Sequence, residues 1–172
     1  IGAGRIGSNF AKKARAFDMK ILYHNRRPNK AFEEETGAHY VDKETLLRES
    51  DYVSLHVPLT NETRHMLGER EFKMMKPNTI LINTARGPVV DEKALVKALK
   101  EGWIWGAGLD VYEEEPTVEP ELLKMDNVVL LPHVGSATTS TRTKMAQMVV
   151  DNVLEALKGN VPPNCINPEV YK

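Results

Sequence analysis

Three side chains with useful chemistry follow apolar segments of the sequence: Arg86, Glu115 and His133. His133 could donate or accept a proton near neutral pH. Glu115 could bond to the second ring nitrogen of that histidine, which would fix its tautomer and raise its basicity. Arg86 could hold a carboxylate through two hydrogen bonds and polarise a neighbouring carbonyl. As a set, these residue types favour acid–base chemistry on a carboxylate that has a carbonyl group next to it.

Each of the three residues also has a plainer interpretation. A single histidine is usually structural, Glu115 lies in an acidic loop, and Arg86 could form a surface ion pair. The catalytic interpretation gains weight if the fold places the three side chains on one edge of a sheet. The elements that precede them therefore decide between the two interpretations.

The sequence opens with glycines in the pattern G-x-G-x-x-G, at positions 2, 4 and 7. In a dinucleotide-binding unit the first glycine allows a tight turn, and the second lets the backbone approach a pyrophosphate. The third lets the next helix lie close to the sheet. The start of that helix points unpaired N–H groups at the phosphates. Helical spacing of apolar residues predicts a helix over 4–17, and residues 20–24 are typical of a strand; the apolar residues are Ile6, Phe10, Ala14 and Phe17.

Helical and strand patterns alternate along the rest of the chain. Such alternation predicts an α/β fold, a doubly wound parallel sheet with right-handed helical crossovers. Ligands bind at the carboxyl ends of the strands in such sheets. That rule places Arg86, Glu115 and His133 on the edge that carries the glycine stretch. The predicted helices cover 30–36, 43–49, 69–75, the segment between Asp91 and Gly102, and 138–158; the predicted strands cover 38–41, 51–58, 79–83, 103–111 and 127–131, and the tail from 161 is expected to be extended.

Length and composition predict one globular domain of ordinary size. The chain has 172 residues, of which 41% are hydrophobic and 27% are charged. Its formal net charge of -1 gives no electrostatic reason to expect a nucleic acid or a membrane surface as partner. Cys165 is the single cysteine, which excludes an intrachain disulfide and favours a reducing cytosol. No apolar run is long enough to span a bilayer, so we expect a cytoplasmic protein.

Metal-dependent and nucleophilic chemistry find little support in the sequence. The other histidines show neither the HxxxH nor the HxH spacing of a metal site, and there is no Asp-x-Asp loop. No G-x-S-x-G elbow occurs. Met145 and Met148 fit the core face of a helix better than a ligand site. We therefore expect no metal.

The turn after the strand predicted over 20–24 bears on the choice of cofactor. NAD enzymes usually place here a carboxylate that accepts hydrogen bonds from the adenosine ribose. This chain has Asn25 instead, followed by Arg26 and Arg27, whose guanidinium groups could meet a 2′-phosphate. The alternative interpretation is a solvated basic turn. We predict NADP as the preferred cofactor, with NAD as the alternative.

Five stretches, in order, resemble the D-2-hydroxyacid dehydrogenase family, and they extend over nearly the whole chain. They are Gly2–Gly7, His56–Thr60, Asn83–Asp91, Gly108–Pro116 and Leu131–Ser136. The Asn-Arg-Arg turn makes the glyoxylate/hydroxypyruvate reductases the most similar branch. The resemblance implies a hydride transfer between NAD(P)H and a small 2-oxo or 2-hydroxy acid, such as glyoxylate or hydroxypyruvate. The alternative is an NAD(P)-binding sensor or corepressor-like protein on the same scaffold.

The resemblance also assigns residues and domains. It implies Arg86 as the substrate-binding arginine, Glu115 as the partner of the histidine, and His133 as the acid/base. It implies a homodimer, a dinucleotide-binding domain over 1–142 with a truncated first strand, and a helix and tail over 143–172 that return toward a substrate domain. Because that first strand is reduced to Ile1, we expect the chain to be part of a longer protein. The implied cofactor contacts are Gly2, Ala3, Gly4, Arg5, Ile6, Asn25, Arg26, Arg27, Val57, Pro58, Thr84, Ala85, Arg86, Asp110, His133, Val134 and Gly135.

Overall fold

A computed structural model describes residues 1–171, which form two compact units, Ile1–His133 and the residues from Val134 onward. The helices are α1 (Arg5–Arg15), α2 (Lys30–Thr36), α3 (Lys43–Glu49), α4 (Glu69–Phe72), α5 (Glu92–Lys100) and α6 (Thr139–Leu157). The strands are β1 (Leu22–Tyr23), β2 (His39–Tyr40), β3 (Tyr52–Leu55), β4 (Ile80–Asn83), β5 (Gly106–Leu109) and β6 (Val128–Leu130). Short 3₁₀ turns cover Gly87–Val89, Leu122–Lys124 and Pro168–Tyr171.

All strand pairs in the first unit are parallel. Strands β1 and β2 form one sheet, and β3, β4, β5 and β6 form a second sheet in that order. A helix connects each strand to the next, except that a 3₁₀ turn lies between β5 and β6. These features confirm the predicted α/β fold with parallel strands and helical crossovers.

The first two residues bridge the two sheets. Gly2 N–H donates to the carbonyl of His24, just after β1, at 3.0 Å. Ile1 bonds to the other sheet, because its nitrogen donates to Ser54 O at 2.7 Å and its carbonyl accepts from His56 N–H at 2.8 Å. The glycine stretch is therefore anchored at the carboxyl ends of both β1 and β3.

Side-chain caps explain why two helices begin and end where the sequence predicts. Asn29 and Asp42 accept the N–H of the residue three positions on, at 3.2 and 2.9 Å, at the starts of α2 and α3. Gly37 ends α2 with a left-handed φ of 68°. Asp91, which precedes the helix predicted before Gly102, accepts from Ala94 N–H at 3.0 Å and caps α5. These caps are local signals, so the bounds of α2 and α3 match the predictions.

Helix α1 makes its closest approach to the sheet through its smallest residues. Gly7 and Ala11 are its buried residues, whereas Ile6 is 75% exposed, and Phe17 lies beyond the helix end and is 80% exposed. A Cβ added at Gly7 would lie 2.1 Å from the carbonyl oxygen of Gly2. Only the smallest residues fit so close to the sheet, whereas Ile6 is exposed and the ring of Phe10 lies beside the ring of His56, with centroids 5.2 Å apart.

The strands and α4 are shorter than predicted.

The first compact unit ends at His133, and helix α6 is continuous from Thr139 to Leu157. The division into domains after residue 142 remains a prediction. Two other features of the second unit differ from expectation. Met145 and Met148, which we expected in a helix core, are exposed. The tail is not fully extended, because Val170 N–H donates to the carbonyl of Asn167 in a 3₁₀ turn. Among the helices of residues 1–171, none combines the length and the apolar character needed to cross a membrane.

The main core lies between the larger sheet and the helices on it. Its fully buried members include Leu47, Leu55, Phe72, Leu81 and Leu95, which come from α3, β3, α4, β4 and α5. Burying an apolar side chain of this size contributes about 1.5–3 kcal/mol. This core fixes the strand ends from which the loops of the candidate site leave.

Candidate active site and cofactor groove

A groove of about 1040 Å³ opens beside the glycine stretch, at the carboxyl ends of β1 and β3. It contains most of the cofactor-binding residues predicted from the first third of the chain. Its lining residues are Ile1, Gly2, Ala3, Gly4, His24, Asn25, Arg26, Arg27, His56, Val57, Pro58, Thr60, Glu62, Thr63 and Met66. The predicted residues Arg5 and Ile6 lie next to it, in the first turn of α1.

The glycine stretch has the geometry that a bound pyrophosphate needs. Gly2 has a φ of +93°, and a Cβ there would lie 2.8 Å from the backbone carbon of His56, so a larger residue does not fit. A Cβ added at Gly4 would meet no described atom within 4 Å, so this position borders open space. Within residues 1–171 no side chain caps the start of α1. Its first N–H groups therefore suit an anion, and the residues present fit a dinucleotide.

Asn25 connects the end of β1 to the glycine stretch. Ala3 N–H donates to Asn25 Oδ1 at 2.7 Å, and Tyr40 Oη donates to the backbone carbonyl of Asn25 at 3.1 Å. Because a backbone N–H can only donate, the side-chain oxygen must face Ala3. The side-chain NH₂ group of Asn25 is therefore the part that can donate to a ligand.

Arg26 and Arg27 are exposed on the groove wall, and Glu62, from the loop after β3, lines the same groove. Hydrogen bonds from Thr60 and from its own backbone, with a smaller contribution from Arg26, lower the pKa of Glu62. The sequence prediction considered only acids close to Asn25. It missed Glu62 because the loop after β3 is distant along the chain and adjacent only in the fold.

Glu115 and His133, predicted as an acid–base pair, are in contact. His133 Nδ1 donates to Glu115 Oε2 at 2.7 Å, and Tyr112 N–H donates to Glu115 Oε1 at 3.1 Å. The hydrogen bond from His133 is the largest cause that lowers the pKa of Glu115, so the carboxylate is ionised at neutral pH. The His133 side chain is 50% exposed, which leaves Nε2 for a substrate.

A cavity of about 330 Å³ lies beside this pair. Its walls are mostly apolar and come from the loop after β5 and the end of β6, and its lining residues are Tyr112, Glu115, Pro116, Val118, Leu130, Leu131, Pro132 and His133. Tyr112 Oη donates to the carbonyl of Leu131 at 2.7 Å and so connects the two segments. The pair therefore has an apolar wall on one side and solvent on the other.

Arg86 is exposed on the loop after β4, and a buried asparagine shapes that loop. Asn83 Nδ2 donates to the carbonyl of Arg86 at 3.0 Å, and Asn83 Oδ1 accepts from Ala85 N–H at 3.0 Å. The guanidinium group bonds to the carbonyl of Ala85 at 2.6 Å, and its charge contributes to the lowered pKa of Glu115. Sequence reasoning did not assign a role to Asn83, although a polar residue that ends an apolar strand was an available signal.

The loops after β4 and β5 run side by side. Asp110, which is buried, donates its N–H to the carbonyl of Asn83 at 3.0 Å. A Cβ at Gly87 would lie 1.7 Å from the carbonyl oxygen of Tyr112. The predicted residues Thr84 and Ala85 belong to the same edge.

The predicted cofactor contacts Val134 and Gly135 are the first residues of the second compact unit. Over residues 1–171, no group of three potential metal-ligating side chains occurs. The arrangement in the first unit can therefore hold a carboxylate through Arg86 and move a proton through His133, whose partner Glu115 stays charged. Both activities fall on the edge of the sheet that carries the dinucleotide groove.

Comparison with known proteins defines the family. The sequence model described as "D-isomer specific 2-hydroxyacid dehydrogenase, NAD binding domain" matches residues 1–135. The chain therefore belongs to the D-isomer-specific 2-hydroxyacid dehydrogenase family and contains its NAD-binding domain. Glyoxylate reductase from Thermococcus litoralis is 61% identical over 170 residues, which cover 99% of this chain and 51% of that relative.

Solved structures agree with this assignment. A glyoxylate reductase from Paecilomyes thermophila has a TM-score of 0.85 and 46% identity, over 93% of this chain and 49% of that one. An NADPH-dependent glyoxylate/hydroxypyruvate reductase from Sinorhizobium meliloti, in complex with NADP and malonate, has a TM-score of 0.84 and 42% identity, over 90% of this chain and 48% of that one. The predicted family and fold class are confirmed. The chain spans about half the length of the curated relatives it matches.

Proposed function

We propose that the protein to which this chain belongs reduces a small 2-oxo acid, such as glyoxylate or hydroxypyruvate, with a nicotinamide cofactor. The observation that carries the proposal is the 2.7 Å hydrogen bond between Glu115 and His133, on the sheet edge that also bears Arg86 and the glycine stretch. Relatives named glyoxylate reductase, at 61% and 55% identity, support the substrate class. They do not favour the sensor alternative.

Each of the three side chains has a separate role in the proposed reaction. Arg86 binds the substrate carboxylate and polarises the adjacent keto oxygen. His133, protonated, donates from Nε2 to the oxygen as negative charge develops on it. Glu115 accepts from Nδ1, which orients the ring and stabilises the imidazolium. When bound, the nicotinamide supplies the hydride that the keto carbon receives.

The His133→Gln substitution in the complete natural protein tests this assignment. Glutamine can still bond to Glu115 but cannot act as an acid, so we expect kcat for glyoxylate to fall by roughly 10²–10⁴-fold. Binding of NADPH, followed by its fluorescence, is measured alongside, because His133 is also one of the implied cofactor contacts and a loss of binding must be separated from a loss of proton transfer. Turnover close to that of the wild type would contradict the proposal.

We further propose a preference for NADPH over NADH. The free NH₂ group of Asn25 and the two exposed guanidinium groups, Arg26 and Arg27, suit a 2′-phosphate better than a 2′-hydroxyl. The relative from Sinorhizobium meliloti is described as NADPH-dependent, which supports the preference. Glu62 in the same groove weakens it, so we expect a preference rather than exclusive use.

Assembly, location and domain organisation remain part of the proposal. We expect a cytoplasmic homodimer, with 1–142 as the dinucleotide-binding domain and 143–172 returning toward a substrate domain. Sedimentation of the complete protein tests the assembly, since a species of monomer mass alone would contradict it.

A further inference from the structure

Glu92, at the start of α5, is a buried acid for which the proposed chemistry has no role. It is 7% exposed and accepts a hydrogen bond from Glu113 N–H at 2.6 Å. In return, Glu113 Oε2 accepts from Glu92 N–H at 3.2 Å. Each acid therefore bonds to the other's backbone, and we call this reciprocal pair the Glu92–Glu113 clasp.

The clasp joins two loops that carry proposed catalytic residues. Glu113 lies two positions before Glu115 and directly follows Tyr112, whose N–H holds the Glu115 carboxylate at 3.1 Å. Glu92 lies on the segment that continues from the Arg86 loop through the 3₁₀ turn Gly87–Val89 into α5. The clasp therefore fixes the backbone that aims Glu115 relative to the backbone that aims Arg86.

A third segment holds the clasp from outside. His65 Nε2 bonds to Glu113 Oε1, and His65 N–H donates to the carbonyl of Pro88 at 2.8 Å. His65 has a φ of 50°, in the left-handed region that non-glycine residues seldom adopt. Both oxygens of Glu113 are thus engaged, one with His65 and one with Glu92, and the Arg86 and Glu115 loops share these anchors.

Burial makes Glu92 an unfavourable choice for stability alone. Desolvation, followed by repulsion from Glu113 and other nearby acids, outweighs the hydrogen bond and raises the pKa of Glu92. Burying a carboxylate lowers the free energy of unfolding, and an apolar residue could fill the same space without that cost. An apolar residue, however, could not accept a hydrogen bond. Here the carboxylate supplies the acceptor that holds the Glu113 backbone.

We propose that Glu92 is a positioning residue for the reduction, acting through Glu113 and Tyr112 to hold Glu115 against His133. This inference rests on the proposed function, because it concerns the efficiency of the same site. Glu92 itself does not touch substrate or cofactor. Its side-chain oxygen is a fixed hydrogen-bond acceptor for the backbone N–H of Glu113, at 2.6 Å.

The test uses the complete protein, glyoxylate and saturating NADPH. The Glu92→Ala substitution should lower kcat by roughly 10–100-fold, because small displacements of reacting groups have effects of that size. Glu92→Asp should reproduce most of this loss, since its carboxylate is one methylene too short to reach Glu113 N–H. Glu92→Gln keeps an acceptor at the right distance and should stay within about threefold of the wild type.

A second readout follows Glu115 directly, by NMR of its side-chain carboxyl carbon. Glu92→Ala and Glu92→Asp should raise the pKa of Glu115 toward its ordinary value, and Glu92→Gln should not. Glu71→Ala is the matched control, because Glu71 is also partly buried and accepts a backbone N–H, from Gly68 at 3.2 Å, away from the site. It should lower stability without changing the pKa of Glu115 or kcat.

The outcomes separate this inference from the proposed function. If the wild-type complete protein does not reduce glyoxylate, the proposed function is wrong, and the pKa of Glu115 in the variants still decides whether Glu92 positions it. If the wild type is active while Glu92→Ala leaves both kcat and that pKa unchanged, the inference is overturned. It is also overturned if Glu71→Ala changes both quantities to the same extent.

Discussion

Replacing Asn25 by aspartate should change the preferred cofactor of the complete protein from NADPH to NADH. The side-chain oxygen of Asn25 accepts Ala3 N–H at 2.7 Å, so its NH₂ group remains for the 2′ position of the ribose. In the variant, one carboxylate oxygen can keep the bond to Ala3 while the other brings negative charge to the ligand. That charge accepts a hydrogen bond from the 2′-hydroxyl of NADH and repels the 2′-phosphate of NADPH.

The size of the change follows from two contributions. The lost hydrogen bond between the amide and a charged phosphate is worth about 1.5–3 kcal/mol, and repulsion in water adds about 1 kcal/mol per pair of charges at ~4 Å. Exposure of the turn reduces both. We therefore expect the ratio of kcat/KM for NADPH to that for NADH to fall by about 100-fold, which corresponds to roughly 2.7 kcal/mol.

The assay measures kcat/KM for both cofactors at saturating glyoxylate, with cofactor binding by fluorescence as a check that does not need turnover. Arg26→Ala alone should lower the ratio by about tenfold, and the Asn25→Asp, Arg26→Ala double variant should lower it further. Glu62→Gln is the control of opposite sign, because it removes the acid that faces Arg26 and should raise the ratio. A wild type that prefers NADH, or a double variant with an unchanged ratio, would refute this reasoning.

Two further predictions concern the framework of the site. Gly87→Ala should lower the free energy of unfolding by about 1–3 kcal/mol and reduce kcat, because its Cβ would lie 1.7 Å from the carbonyl oxygen of Tyr112. Gly68→Ala is the control: its Cβ would lie 3.8 Å from Glu71 Oε2, so it should cost less than about 1 kcal/mol in urea denaturation. The pKa of Glu92 is raised in the folded state, so the wild-type protein loses stability as the pH rises and Glu92 ionises. The Glu92→Gln variant has no such group, and it should therefore become more stable relative to the wild type as the pH rises. That gain should vanish below about pH 4, where glutamate is neutral even in the unfolded chain, and a difference that is constant with pH would contradict it.

Local signals in the sequence were sufficient for part of the fold and of the site. The caps Asn29 and Asp42 and the stop at Gly37 act within one turn of the chain, and they define α2 and α3 without tertiary information. The rule that ligands bind at strand carboxyl ends was enough to group Glu115 with His133, because strand order brings those loops together.

Contacts between distant segments could not be predicted in this way. The buried face of α1 could not be assigned from the sequence, because close packing at Gly7 depends on the position of Gly2 in three dimensions. Glu62 and Arg26 share a groove through the fold alone. Glu113, which pairs with Glu92, lies in an acidic loop whose sequence predicts an exposed segment. No spacing rule predicts that these two residues meet.

The site separates reactive side chains from those that hold them. Arg86 and His133 are exposed and come from the ends of β4 and β6, whereas Asn83 and Glu92 are buried and bond to backbone. Tyr112 connects the β5 loop to Leu131, so each of the three loops is held by a polar side chain within the fold. An exposed reactive group can meet a ligand at little structural cost, because the fold does not depend on its contacts. Substitutions that remove the hydrogen-bonding group of a buried holder, such as Glu92→Ala, should therefore affect stability and turnover together, and substitutions of the exposed reactive groups should affect turnover alone.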